Sequence, residues 1–492
     1  MSTTVGTSAA DDTQPIASTT ARPLVVDLDG TLIKTDLLVE SFLSLVSKSP
    51  LNAIGALMAL FKGKAALKAR LADQAVLDMA TMPLNPAVCD VIAARRASGA
   101  EIAIASASDL RYVSALANQL GGFDRVFGTE KGENLSGRKK AERLVEFYGE
   151  RSFDYIGNER VDLHIWEKAQ TAYLAGGSSD LARRLRQRHD DVVVLEQPSQ
   201  GLRPYLKALR PHQWLKNILV FAPAAAAHTV LSNLGVLTLA FIAFSMCASS
   251  VYIFNDLLDL AADRDHPRKR NRPFASGAAS AKVGVALAVA LLIGAIAISL
   301  VLPIKFLITL AIYYVLTSAY SLSIKRKPIV DVITLACLYG MRVWAGGYAS
   351  NTNLSQWLEA LAIFLFLSLA LVKRCAELVA RAQLGKSEMA GRGYRLDDLN
   401  LLESMAVASG FISALVLALY VNSVGQSPDG FSYAHPRRLW LLCILLLAWI
   451  SRVLLITRRG EMTDDPIVFA VRDKWSLVVG LACAAVVGSA TI

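Results

Sequence analysis

Asn255-Asp256-Leu257-Leu258-Asp259-Leu260-Ala261-Ala262-Asp263 stands at the end of a long uncharged run. Residues 217–255 contain no Asp, Glu, Lys or Arg, and the same holds for residues 283–304, 306–324, 404–428 and 475–492. A bilayer core takes roughly 20 apolar residues per helix, so these runs read as membrane helices. The quoted stretch is then the polar end of one of them. Its three aspartates, spaced i, i+3 and i+7, fall within roughly 60° of one helical face. Carboxylates held together repel unless a cation pairs them, and oxygen-only ligands suit Mg2+, which also binds substrate phosphate oxygens. The alternative is a solvated acidic helix end. Arg264, Arg268, Lys269, Arg270 and Arg272 follow at once and favour a metal-bridged diphosphate as the guest.

Composition sets the frame. The 492 residues are 54% hydrophobic and 19% charged, with a net charge of +10, which excludes a disordered chain and a nucleic-acid binder. Residues 1–200 hold 23 basic and 25 acidic side chains and the remainder 28 and 16, so the basicity belongs to the apolar part. Nine spans are expected, centred near 222, 245, 292, 314, 339, 363, 413, 447 and 483. Nineteen basic residues fall in the loops on one side, including Lys386 and Arg392, against Lys305, Arg437 and Arg438 on the other. The positive-inside rule therefore puts the N-terminal part in the cytoplasm and Ile492 outside. The six cysteines form no CxxC pair, which argues against a zinc site or disulfide framework and for a reducing face.

Residues 1–22 read as a disordered tail without a signal-peptide core. From 23 to 197, short apolar runs at 24–26, 101–105, 153–156, 171–174 and 191–195 alternate with helical patterns, which predicts a parallel sheet covered by helices. Residues 198–212 form a linker with a surface-lying helix, and 213–492 the membrane domain. Residues 36–100 read as a small helical cap. Within it Leu51, Ile54, Leu57, Met58 and Phe61 recur at three and four, beside Lys62, Lys64, Lys68 and Arg70. Such a basic amphipathic segment either lies on a membrane surface or packs on the domain core.

Asn255-Asp256-x-x-Asp259-x-x-x-Asp263, with Arg272-Pro273-Phe274-Ala275-Ser276-Gly277, resembles the first signature of the UbiA superfamily of intramembrane prenyltransferases. Tyr320-Ser321-Leu322-Ser323-Ile324-Lys325 with Pro328 and Asp331 resembles its second region. Arg210-Pro211-His212-Gln213-Trp214-Leu215-Lys216-Asn217 and Lys373-Arg374-Cys375-Ala376-Glu377-Leu378 resemble the branch that transfers phosphoribose from phosphoribosyl diphosphate to a polyprenyl phosphate. The resemblance implies an all-α polytopic fold in the bacterial inner membrane, with Mg2+ on Asp256, Asp259 and Asp263. Substrate would then meet Asn255, Lys216, Arg268, Arg272, Lys325, Arg326, Asp331, Arg342, Lys373 and Arg374. Ionisable residues at span ends are expensive and so point to function, although each could instead snorkel towards headgroups. Asp331 and Arg342 lie about three turns apart and are expected to share a face, pairing or bracketing substrate.

Asp27-Leu28-Asp29-Gly30-Thr31 follows an apolar strand and resembles the first motif of the haloacid-dehalogenase (HAD) superfamily, α/β phosphatases with a Rossmann-like sheet. The resemblance assigns Asp27 as nucleophile and Asp29 as general acid and base, both near Mg2+. It assigns Ser106 to hydrogen-bond the phosphate and Lys140, with Lys139 as rival, to neutralise it. The fourth motif departs: Asn158 stands where the family has an aspartate, and an amide is a weaker Mg2+ ligand, with Asp162 left to supply negative charge.

The combined reading is a bifunctional enzyme: Mg2+-dependent phosphoribosyl transfer to a polyprenyl phosphate, then removal of the ribose 5-phosphate. The alternative is attachment of a prenyl diphosphate's chain to an aromatic or other acceptor, with the HAD-like domain accessory. Homo-oligomerisation is left open. A transporter fits less well, because transporter sites sit near the midplane and the aspartates here sit at a span end.

Overall fold

The computed structural model describes residues 21–130, 132–195, 201–383, 393–424, 433–462 and 465–491. The expected tail up to residue 20, the first linker residues, Lys386, Arg392 and Ile492 lie outside the described residues. Contacts divide the chain into two units, residues 1–200 and 201–492.

The first unit is built on a six-stranded parallel sheet, with β1 Leu24–Val26, β2 Ile102–Asp109, β3 Arg125–Thr129, β4 Asp154–Gly157, β5 Ala172–Ala175 and β6 Val192–Leu195 in the order β3-β2-β1-β4-β5-β6. Leu24, Val25 and Val26 are fully buried, because β1 lies between β2 and β4 with helices on both faces. That burial explains why the central strands read as apolar runs. Sequence reasoning omits β3, an edge strand that carries Arg125 and Gly128 in five residues. The chain order reverses across β1, so the carboxyl ends of β1, β2 and β4 open a crevice where Asp27, Ser106 and Asn158 meet. Residues 36–100 are helical as expected, with helices Leu37–Lys48, Pro50–Met58, Lys64–Gln74 and Pro86–Ala97.

The second unit is helical. Six helices among the described residues are long and apolar enough to cross a membrane: Leu234–Leu258, Ala281–Ser299, Ile304–Leu322, Pro436–Arg458, Lys474–Thr491 and the stretch Leu396–Ser423. Nine spans were expected. Val330–Ala349 and Gln356–Ala382 are long helices too, but buried Asp331, Arg342 and Arg374 break their apolar character. The expected span near 222 is instead a 3-10 stretch, Pro211–Phe221, followed by the short helix Ala222–Ala226. Pro211 and Pro223 each stand at a first helical turn, so one element ends where the next begins. Gly346 lets this stretch pack tightly, since a Cβ there would sit 1.9 Å from the Val220 carbonyl oxygen. That approach carries Lys216 and Asn217 against the helix of Arg342.

The aspartate stretch is also not one helix. Leu234–Leu258 ends at Asp259, and a separate short helix, Leu260–Asp265, carries Asp263. The three carboxylates therefore do not share a continuous helical face.

Candidate active site

In the membrane unit, Asp256 and Asp263 are nearly fully buried, and Arg272 Nη1 lies between them, donating at 2.9 Å to Asp256 Oδ1 and 2.6 Å to Asp263 Oδ2. Arg210 Nη2 donates at 2.5 Å to the same Asp256 oxygen, with its guanidinium 5.3 Å from the Tyr252 ring. Burial pushes the Asp263 carboxyl up, and Arg272 opposes the shift. Asp259, at the joint between the helices, has a side chain 41% exposed that lies 3.6 Å from Lys325. Asn255 Nδ2 donates to Ser321 Oγ at 2.8 Å, tying together the two segments that carry the signatures.

Two oxygens converging on one cationic nitrogen form a donor set that suits a divalent cation, with the guanidinium standing where a cation would. Asp256 and Asp263 fit Mg2+ in this sense. Among the described residues no group of three acidic, His or Cys side chains is close enough to hold a metal, and Asp259 does not join the pair.

A second cluster centres on Asp465, which sequence reasoning missed. Lys216 and Lys373 donate to its Oδ2 at 2.8 and 2.9 Å, and the Tyr339 hydroxyl donates to it at 2.9 Å. Burial works against the charge of Asp465, but Lys373 and Lys216 outweigh it and hold the carboxyl well below the usual range. Asp465 also caps helix Pro466–Arg472, and an aspartate directly before a proline reads in sequence as just such a cap.

Of the two alternatives expected for Asp331 and Arg342, pairing or bracketing substrate, the structure excludes pairing. Arg342 donates to Asn217 Oδ1 at 2.9 Å and to the Tyr313 hydroxyl at 2.8 Å. Asp331 is bound by Arg374 at 2.6 Å and by the Tyr394 hydroxyl, while Arg374 also reaches Glu377 and the Tyr320 hydroxyl. With Asp331 and Arg374 both fully buried, this third cluster ties three elements together. Arg268 and Arg326 are exposed, and among the described residues they do not join these clusters.

In the first unit, Lys140 Nζ donates to Asp27 Oδ1 at 2.7 Å, to the Ala105 carbonyl at 3.1 Å and to the Tyr155 hydroxyl at 3.0 Å. Burial disfavours its charge, yet Asp27 and Asp162 raise its pKa above the ordinary lysine value. Lys139, the rival, is exposed and lines a separate surface groove. Asp29 accepts from the hydroxyls of Ser106 at 3.0 Å and Ser108 at 2.7 Å and from the Leu37 backbone N–H at 2.8 Å. Burial first, then Asp36, pushes its pKa up to about 6. Thr31 Oγ1 lies 3.1 Å from both Asp27 Oδ2 and Asn158 Oδ1, so two oxygen donors of the kind Mg2+ prefers face one place. Gly30, at φ +77°, admits Asn158, whose amide would stand 2.4 Å from a Cβ there.

Asp162 Oδ1 lies 4.0 Å from Lys140 Nζ. Its Oδ2 accepts from the backbone N–H groups of Asn158 and Glu159, both at 3.0 Å, and its Oδ1 from the Tyr155 hydroxyl at 3.0 Å. It shapes the loop that presents Asn158 and keeps its negative charge beside Lys140. Thr31, Ser108, Tyr155 and Lys68, whose Nζ bonds the Ala107 carbonyl and Asn134, were not singled out for this site. Serines at the end of an apolar strand were the available signal.

Residues 217–476 match the UbiA prenyltransferase family. The chain is 34% identical over 465 residues to the uncharacterized protein y4nM of Sinorhizobium fredii, covering 93% of this chain and 89% of that one. It is 29% identical over 307 residues to the decaprenyl-phosphate phosphoribosyltransferase of Mycobacterium tuberculosis, covering 61% of this chain and 97% of that one. Among solved structures, one of phosphoserine phosphatase with an analogue of its phospho-aspartyl intermediate is similar at a TM-score of 0.25 and 14% identity, over 38% of this chain and 97% of that one.

Proposed function

Because the chain belongs to the UbiA prenyltransferase family, we propose that it transfers phosphoribose from phosphoribosyl diphosphate to a polyprenyl phosphate and that its first unit then removes the ribose 5-phosphate. The observation that carries the transferase reading is the convergence of buried Asp256 and Asp263 on one cationic nitrogen, beside the cation of Arg210. Mg2+, held by Asp256 and Asp263, would supply positive charge to the departing diphosphate. Arg210 and Arg272 bind the same group and orient it for departure.

Lys216 and Lys373 converge on a single carboxylate and offer nitrogen donors suited to the lipid phosphate or the ribose 5-phosphate. The lipid phosphate is already ionised. It attacks the ribose carbon as the bond to pyrophosphate breaks, and no general base is required, in keeping with the sparse histidine content. The basic loops argue that these ends of the helices, and the first unit, face the cytoplasm.

In the first unit, Asp27 attacks phosphorus while Asp29, protonated, gives its proton to the departing ribose oxygen. Asp29 then takes a proton from the water that releases phosphate. Lys140 offsets charge on Asp27 and the phosphoryl oxygens. Covalent linkage of the two units raises the effective concentration of the second site for the first product.

Full-length protein in nanodiscs, given Mg2+, a polyprenyl phosphate and radiolabelled phosphoribosyl diphosphate, should form a labelled lipid. An allylic diphosphate offered with an aromatic acceptor should not react. Transfer from the allylic donor alone would overturn the reading in favour of prenyl transfer. Release of inorganic phosphate should disappear in Asp27→Asn; unchanged release would remove the phosphatase half.

A further inference from the structure

The cap helix Pro50–Met58 is amphipathic the wrong way round for a soluble domain. It buries only Ala53 and Ala56, which join a small cluster with Leu45, Leu67 and Leu71. Its large apolar side chains point outward: Leu51 is 81% exposed and Phe61, in the 3-10 turn Ala59–Lys62 that continues the helix, 91%. Ile54, Leu57, Met58 and Leu60 are exposed between them. Scattered exposed apolar residues need no explanation, but six within one short element make a contiguous patch.

Charge identifies what covers the patch. Residues 41–72 contain Lys48, Lys62, Lys64, Lys68 and Arg70 and no Asp or Glu. Lys48, Lys62, Lys64 and Arg70 are exposed. An apolar strip flanked along the chain by exposed cations complements a layer of anionic headgroups over acyl chains, and the same chain carries helices long and apolar enough to span such a layer. Aggregation would be the penalty for leaving the strip in water.

We propose that Leu51, Ile54, Leu57, Met58 and Phe61 insert into an anionic lipid leaflet as an interfacial anchor of the first unit, with Lys48, Lys62 and Lys64 on the headgroups. Lys68 lies on the next helix, within the same cap, and its Nζ bonds Ala107 and Asn134 at the edge of the crevice. Anchoring the cap therefore holds that crevice at a lipid surface. The anchor stands whether or not the transferase or phosphatase reading holds.

The test uses full-length protein in nanodiscs with the photo-reactive residue benzoylphenylalanine placed at Phe61 and, as control, at Val193 on edge strand β6. Irradiation in phosphatidylcholine containing phosphatidylglycerol should crosslink lipid from position 61 at least about fivefold more than from position 193, because the anchor needs both buried apolar area and anionic charge. Pure phosphatidylcholine with high salt should lower that yield several-fold. Leu57→Glu should abolish the lipid crosslink, and amide exchange over residues 50–62 should quicken in the same variant. Equal yields from the two positions, or a crosslink from position 61 into protein, would overturn the proposal.

Discussion

Asp256 and Asp263 share one nitrogen: Arg272 Nη1 donates to both, at 2.9 and 2.6 Å, although the two carboxylates belong to different helices. Each aspartate is buried, so removing either leaves a cation short of a partner at the place where the diphosphate would bind. Asp256→Asn and Asp263→Asn should each lower kcat for transfer by roughly 10²-fold or more, the scale of losing a preorganised electrostatic contact. Asp259→Asn should cost about tenfold at most, since its side chain is 41% exposed and its ion pair with Lys325 is a long 3.6 Å. Initial rates with radiolabelled donor check the ranking, and equal losses at all three positions would contradict the pairing.

The Lys216, Lys373 and Asp465 cluster should behave asymmetrically. Asp465→Asn removes the carboxylate that both buried lysines share and should destabilise the membrane unit by about 3–5 kcal/mol, the range for breaking a buried ion pair. Lys373→Met leaves Asp465 with Lys216 and should cost less. Thermal unfolding in detergent, compared between the two variants, reads the difference directly.

Asn158→Asp should strengthen the first unit's Mg2+ site. The new carboxylate keeps an oxygen for Thr31 and adds a negative charge beside Asp27. Metal affinity is expected to rise about tenfold or more, with faster phosphate release. Titration of phosphatase activity against Mg2+ would show the midpoint moving to lower concentration; an unmoved midpoint would mean that position 158 does not touch the metal.

Acidification should stabilise the first unit when Mg2+ is chelated. Asp29 has its folded-state pKa raised to about 6 from 3.8, so between these values the folded state binds more protons than the unfolded one. Stability contributed by this group is therefore gained as pH falls through about 6 and is lost as pH rises through it. Asp29→Asn should flatten this part of the profile. Buried Trp166, packed at 6.3 Å against Tyr155, offers a fluorescence readout of unfolding. Mg2+ competes with the proton, so its addition should shrink the gain.

The central strands, the helical cap and the membrane helices were readable because each is written locally, as an apolar run or a repeat at three and four. Strand β3 was not, since an edge strand with Arg125 and Gly128 carries little apolar signal. Nine spans became six apolar ones plus two helices with buried charge and a 3-10 stretch. Hydropathy averages over a window and cannot register that Asp331 is neutralised by Arg374 from another helix.

The sequence by itself determined which residue types stand where: a DxDGT motif after a buried strand, aspartates at a helix end, cations among the helices that follow. Its local order is covalent and periodic, so motifs and single elements can be read from it. Only the tertiary structure decided the partners. It split the three aspartates into a buried pair and a half-buried third, turned Asp162 towards the backbone, and brought Asp465 between Lys216 and Lys373. Charges in a poorly solvated interior take whichever opposite charge the packing brings close, and that proximity depends on distant parts of the chain.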